Sequence, residues 1–492
     1  MLEQAIEHSE QQIQTSPRIL AVLRDVWRYT RAPERRWIWY ITAALMYVSI
    51  RVIPLSGFSG EGRRAIAVAG VAGFLWVTNV VPSAITGIVV LFLLPFTGIL
   101  SNDQTYAYFG NHAVFLVLGA FILASPIMRS GLSARIALWT VSTFGHSPGA
   151  LVTSVMWIGA LMSFVISEHA VAAMLFPIVT EIVCAAEVKR GSKFGLAAFL
   201  ALAWGAIIGG TATLLGGARA PLAMGILSST TGETIGFLEW MLYALPVALV
   251  LLLISHVMLL RLGNREPLSL DGARHFLESR IAELGPVSSR EKTIAGIMVF
   301  TVMLWIVQGN AWGLDNIALL GVLLAFGFRV AHWGEVEEDV NWGIFVMYGS
   351  AIALSAALSD SGAAQSMAQY LLDANLESSL VVFAIVVLMA MGLTEIMSNA
   401  ASVAVLMPVA LAISENYDLS SVAVTLGVAV PAGLAFLIPV STPAIAMIMA
   451  SEHVHPFEVI KRGLVLKVLG IVVFLVMAML YWSVVGLRTF GH

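Results

Sequence analysis

Residues 161–170 read LMSFVISEHA and residues 391–400 read MGLTEIMSNA, and these two stretches decide the organisation of the chain. In the first, the apolar run Gly149–Ile166 stops at Ser167-Glu168-His169 and resumes as Ala170–Ala186. In the second, Ser378–Met397 stops at Ser398-Asn399-Ala400 and resumes as Ala401–Ser414. The charge pattern outside these runs, set out below, requires each pair of arms to begin and end on one membrane face. Each is therefore expected as a re-entrant helical hairpin, an inner one at 149–186 and an outer one at 378–415, with its polar tip near the midplane. Such a tip cannot face lipid, because each unsatisfied backbone group costs several kcal/mol there. Free N–H groups at a helix break suit an anion, and free carbonyls suit a cation. Serines that merely cap the second arm would not explain tips placed symmetrically in both halves.

The composition demands lipid. Of 492 residues, 59% are hydrophobic and 11% charged, and the mean hydropathy is +0.89, whereas a soluble protein carries roughly 25% charged residues. Apolar runs near the length of about 20 residues that crosses a bilayer recur throughout. Eleven full spans are expected: 37–53, 65–80, 83–99, 112–128, 195–215, 237–260, 294–309, 315–331, 342–358, 422–439 and 464–485. Lys and Arg concentrate in alternate connections, at Arg31, Arg35 and Arg36, at Arg129 and Arg135, at Lys189, Arg190 and Lys193, from Arg265 to Lys292, and at Lys461 and Arg462. By the positive-inside rule these are cytoplasmic. Connections 100–111, 370–377 and 415–421 carry only acids, including Asp103, Asp373, Glu377, Glu415 and Asp418. Arg63 and Arg64 break the pattern. The expected protein is multi-pass in an inner (plasma) membrane, with its N-terminus cytoplasmic and its C-terminus outside.

The two halves echo each other. Phe115 and Gly119 return 230 residues later as Phe345 and Gly349, while Ser167, Glu168 and Pro177 return 231 residues later as Ser398, Asn399 and Pro408. One copy runs inward and the other outward, so the repeats are inverted, a hallmark of secondary transporters. The expected organisation is a tail at 1–36, which is solvated or amphipathic through Arg18, Arg24, Trp27, Arg28, Tyr29 and Arg35, then scaffold helices at 37–111. A first repeat at 112–260, a cytoplasmic linker at 261–293, further scaffold helices at 294–341 and a second repeat at 342–485 follow. A second polar break follows each hairpin: Gly209-Gly210-Thr211-Ala212-Thr213 with Gly216-Gly217-Ala218-Arg219, and Pro439-Val440-Ser441-Thr442-Pro443.

These residues carry a family likeness. The chain resembles the divalent-anion/sodium symporters, which move dicarboxylates, tricarboxylates or sulfate and bear Ser-Asn-Thr hairpin tips. The matches are Thr394-Glu395 with Ser398-Asn399 and Pro408, Val440-Ser441-Thr442-Pro443, Trp76-Val77-Thr78 with Val81-Pro82, and the glycine-rich Gly209–Gly216. The resemblance runs from about Ala65 to the C-terminus. It implies an all-α elevator-type transporter, a homodimer whose hairpin domain moves past a scaffold. It further implies cation sites at Ser398 and Asn399 and at Ser167, Thr211 and Thr213, with the anion at Ser441, Thr442 and Pro443 and at both tips. The coupling ion would be Na+ or H+, with no other cofactor and no transition metal.

The departures concentrate in one half. The first tip has Glu168 and His169 where the family has Asn and Thr, the second has Ala400 in place of Thr, and the first break has Arg219. A buried Glu and Arg inside a membrane core are functional by default. In one reading, Arg219 pairs with Glu168 and takes the place of the first sodium, leaving an exchanger or a transporter coupled to fewer cations. In a second, Glu168 takes up a proton with His169 as partner. In a third, Glu168 still coordinates sodium and Arg219 binds the anion. A structural ion pair, or Arg219 snorkelling to a face, is the bland alternative.

Other classes are poorly served. The formal charge of −4 argues against a nucleic-acid partner, and the single cysteine, Cys184, excludes an intrachain disulfide. There is no Gly-rich loop ending in Lys-Ser/Thr for an ATPase and no nucleophile constellation for a membrane enzyme. An arsenite, citrate or proton-antiport type of ion transporter is the nearest rival. Trp37, Trp39, Tyr40 and Trp482 are expected as interfacial anchors, and His112, Asn341 and Asp360 at membrane faces. Glu395 is expected either to orient the second tip or to partner a polar group in the bundle.

Overall fold

A computed structural model describes residues 37–53, 57–263, 269–372 and 378–489. The expected N-terminal tail, Arg265, Asp373 and Glu377 lie outside the described residues. Apolar runs punctuated by Ser, Gly and Pro give an all-helical chain among the described residues. The first half forms α1 (Trp37–Val52), α2 (Gly60–Thr78), α3 (Ser83–Phe96), α4 (Asn102–Ala107), α5 (His112–Arg129) and α6 (Leu132–Phe144). It continues with α7 (Pro148–Met162), α8 (Glu168–Ala185), α9 (Lys193–Gly209), α10 (Arg219–Thr231) and α11 (Phe237–Gly263). The polar connection carries α12 (Asp271–Glu283). The second half forms α13 (Ser289–Trp312), α14 (Leu314–Gly327), α15 (Trp333–Asp339), α16 (Gly343–Asp360), α17 (Ala363–Leu372) and α18 (Ser379–Ile396). It ends with α19 (Asn399–Asn416), α20 (Ser421–Ala432), α21 (Pro443–Ala450), α22 (Pro456–Val476) and α23 (Trp482–Val484), the last two joined by a π-helical turn.

Among the described residues, eight helices (α5, α8, α11, α13, α16, α18, α19 and α22 with its extension) are long and apolar enough to cross a membrane. Three of them, α8, α18 and α19, fall in the runs expected as hairpin arms. Length alone therefore does not separate a full span from an arm. Large apolar side chains stand exposed along α3, α11, α13 and α22, including Phe92, Phe96, Leu253, Val299, Val307, Val472 and Leu480. Lipid, not water, suits that surface.

Helix starts repeat with a fixed interval. The pairs 83 and 314, 102 and 333, 112 and 343, 132 and 363, 148 and 379, and 168 and 399 each lie 231 residues apart. Packing partners repeat as well: α3 lies on α16 and α14 on α5, α7 on α9 and α18 on α20, and α8 on α21 and α19 on α10. The core is centred on α9, where every residue from Phe194 to Gly209 is buried, and on α19 and α20, which are buried almost throughout.

Two boundaries move inward from the apolar runs that suggested them. The helix at 195–215 ends at Gly209 and the one at 422–439 ends at Ala432, so each break begins earlier than hydropathy implied. Trp482 corrects another expectation. It is fully buried rather than interfacial, packed edge-on against Phe383 and Phe474 while its indole N–H donates to the Tyr243 carbonyl at 3.2 Å.

Candidate functional site

The N-termini of α8, α19 and α10 meet at one place. Ser167 caps α8, its hydroxyl accepting from the Ala170 N–H at 3.4 Å, and Ser398 caps α19 in the same way from Ala401 at 3.3 Å. The residue after each cap is the first of its helix, so Glu168 and Asn399 project from equivalent places. The Asn399 side-chain amide donates to Glu168 Oε1 at 3.1 Å. Residues 231 apart in sequence therefore touch. Arg219, the first residue of α10, donates from Nη1 to Glu168 Oε2 at 2.9 Å. Each N-terminus carries a partial positive charge that favours a carboxylate.

The pair is deeply buried, Glu168 at 1% and Arg219 at 2% exposure. Desolvating two charges costs several kcal/mol each, and only good geometry with further hydrogen bonds offsets it. The backbone supplies some of this: the Glu168 N–H donates to the Gly216 carbonyl at 2.8 Å, pinning the tip to the first break. Glycine makes room for the guanidinium. A Cβ at Gly217 would stand 2.2 Å from Arg219 Nη1, and one at Gly433 would stand 2.1 Å from Nε. Arg219 Nη2 and the hydroxyl of Tyr348, on α16, are buried without hydrogen-bond partners. A cleft of about 10 Å³ lies beside this cluster, lined by Leu116, Val117, Leu215, Gly217 and Ala218.

The remaining expected residues fall around this centre in different roles. His169 is half exposed, with Nδ1 3.6 Å from Glu168 Oε1. The Thr211 hydroxyl donates to the Ile208 carbonyl at 2.7 Å, and the Thr213 hydroxyl to Phe164 at 2.8 Å, tying the break to the hairpin turn. Ser398 is exposed, while Ala400 is buried against the core. Ser441 donates to the Ile438 carbonyl at 2.6 Å. Thr442 caps α21, accepting from the Ala444 N–H at 3.4 Å, with Pro443 exposed at the first helical position.

Lys467 escaped the sequence reading, and Thr394, named there only for its likeness, takes a structural role. Thr394 hydrogen-bonds Asn399 Oδ1 at 2.8 Å and the Ala432 carbonyl at 2.6 Å, joining the second tip to the end of α20. Lys467, on α22, forms a buried ion pair with Glu395. The signal for Lys467 was present, since an ionisable residue inside an apolar span is a functional pointer by itself. His112, expected at a face, is exposed and pairs with Asp315 at 2.8 Å.

Comparison with known proteins agrees with this architecture. A family model described as the sodium:sulfate symporter transmembrane region matches residues 34–488. The sodium-dependent dicarboxylate transporter SdcS of Staphylococcus saprophyticus is 27% identical over 456 residues, covering 87% of this chain and 88% of its own. SdcS of Staphylococcus aureus is 27% identical over 421 residues, covering 80% and 81%. Two solved structures share the fold at 16% identity. Neisseria gonorrhoeae MtrF, of a class of antimetabolite efflux pumps, has a TM-score of 0.59 and covers 81% of this chain and 86% of its own. The Alcanivorax borkumensis YdaH transporter has a TM-score of 0.52, covering 80% and 89%.

Proposed function

The chain belongs to the sodium:sulfate symporter family, and on that premise we propose that it exchanges small anions across the membrane with Arg219 standing in for a first coupling cation. Membership makes it a secondary transporter of a small anion and not an enzyme. The finer reading rests on one observation, the buried Glu168–Arg219 pair at 2.9 Å, shared with Asn399 of the other half. In this reading the tethered guanidinium neutralises Glu168, so the first half needs no dissolved sodium. The anion, a dicarboxylate, a sulfate-like oxyanion or a related carboxylate, is held by the tips at Ser167 and Ser398 and by Ser441 and Thr442. Asn399 links the tips. Ala400 and Pro443 shape the walls.

The halves are read as inverted repeats that move as an elevator in a homodimer, with eleven spans and the N-terminus cytoplasmic. The exact 231-residue spacing of six helix starts and the exchanged packing partners support this. So does the contact between Glu168 and Asn399, as expected of equivalent positions beside a pseudo-two-fold axis. The adjoining cleft of about 10 Å³ is near the least space that holds a single water, well short of an anion. In this reading the tips part to load the anion, as alternating access demands.

A second reading is favoured by His169 alone, whose ring lies 3.6 Å from Glu168 and is half exposed: a proton taken up at Glu168 and passed through His169. Counterflow in proteoliposomes with sodium and pH gradients imposed separately decides between them. Exchange indifferent to both gradients is expected. Sodium-driven accumulation refutes the tethered-charge reading, and proton-driven accumulation selects the second.

A further inference from the structure

The second half has its own buried ion pair. The Glu395 carboxylate, 5% exposed at the end of α18, accepts the backbone N–H groups of Phe436 at 3.1 Å, Leu437 at 3.3 Å and Ile438 at 3.2 Å. These belong to the segment between α20 and α21. Lys467 reaches the same carboxylate from α22, itself only 7% exposed. It sits within the buried stripe Val459, Gly463, Leu466, Lys467, Gly470 and Phe474, on a helix whose opposite face is exposed and apolar. Gly463, one turn earlier, brings α22 against the same segment, since a Cβ there would lie 2.4 Å from the Phe436 carbonyl.

A chain of contacts runs from the lysine toward the binding residues. Lys467 holds Glu395, Glu395 holds the N–H groups of 436–438, and the Ile438 carbonyl accepts the Ser441 hydroxyl beside Thr442. The neighbouring Thr394 ties the same helix end to Asn399 at the tip. A lysine in the middle of an apolar span is costly unless paired, and its usual meaning is functional. Here the pairing recurs in both halves: Glu168 with Arg219 and Glu395 with Lys467, two buried acids and two buried bases with no net charge.

We propose that Lys467 is a positioning residue, a tethered cation that through Glu395 holds the Phe436–Thr442 segment in binding shape, so that loading the second half requires no dissolved cation. This rests on the placement of the anion at Ser441 and Thr442. It differs from the Arg219 reading in the half of the protein it concerns.

The test is uptake into proteoliposomes in sodium, lithium or choline media by wild type, K467R, K467M and the double variant E395Q/K467M. In choline, K467M is expected to lose about a hundredfold, the scale set by an unpaired buried carboxylate, and to regain uptake with sodium or lithium. K467R should keep uptake in choline, and the double variant should recover much of what K467M loses there, with no sodium activation. Retained uptake of K467M in choline overturns the proposal. So does a loss by K467M that no cation relieves while the double variant recovers, which would leave charge balance without a cation role. Loss in K467M and the double variant alike, in every medium, overturns it too. If wild type is itself sodium-activated and K467M gains a further sodium step, the Arg219 reading fails and this one stands. If K467M merely repeats a wild-type sodium curve, this one fails.

Discussion

Removing Arg219 should be far more damaging than removing Arg219 and the charge of Glu168 together. The two side chains are 2% and 1% exposed and meet at 2.9 Å. Deleting one member of such a pair leaves a buried, uncompensated charge, at a cost of about 3–5 kcal/mol. That is about 100- to 4,000-fold in the population of the correctly assembled site. R219Q and E168Q should each lower thermal stability in detergent and reduce exchange toward background. E168Q/R219Q removes both charges while keeping amides that hydrogen-bond each other and Asn399. Its stability should exceed the sum of the single effects by at least about 1 kcal/mol, the coupling expected of groups in direct contact. Uptake and unfolding measured on all four proteins complete the cycle. Additivity within about 0.5 kcal/mol would mean that the two side chains do not act as a unit, and the tethered-charge mechanism would have no basis.

Asn399→Ala removes a hydrogen bond to a charged group, worth about 1.5–3 kcal/mol, and should raise KM for the transported anion by about tenfold or more, checked by concentration-dependent uptake. Gly433→Ala drives a methyl to 2.1 Å from Arg219 Nε and should abolish exchange, whereas Gly296→Ala, with open space at its Cβ position, should leave it intact. The Asp339 carboxyl is held below its usual 3.8 chiefly by the hydrogen bond from Arg129, against burial and with help from Ser125. A depressed folded value means the stabilisation is present above the unfolded pKa and fades as pH falls through the folded one. Thermal stability should therefore hold at neutral pH and fall only in acid, below the ordinary carboxylate range. Asp339→Asn should flatten that acid limb, as seen in melting curves taken against pH.

Much of the fold was legible because its decisive features are local. A polar triplet inside an apolar run announces a break, and the 231-residue recurrence of Ser167 and Ser398 announces a duplicated plan. The pairing of Glu168 with Arg219 was one of three options, since a sequence separation of 51 fixes nothing about which groups meet. Thr211 and Thr213 are expected cation ligands because hydroxyls at a break have that capacity, and their oxygens keep lone pairs after donating. Their donation to Ile208 and Phe164 depends on how the break folds back, which composition does not encode. Lys467 passed unnoticed for the opposite reason: one lysine barely changes the hydropathy of the 21-residue helix around it. Trp482 misled because tryptophan at the end of an apolar run is ordinarily a headgroup anchor, and here its ring packs edge-on against Phe383 and Phe474.

The contact between Glu168 and Asn399 has a consequence for how the two halves diverge. Positions that are equivalent in the proposed repeats and also neighbours cannot change alone, because each is part of the other's surroundings. Two glutamates there would repel; two asparagines would pair but offer Arg219 no negative partner. An acid facing an amide breaks the sameness by a single charge. It also gives the junction a direction, because at this contact the carboxylate and its salt link to Arg219 lie on one side and a neutral amide on the other.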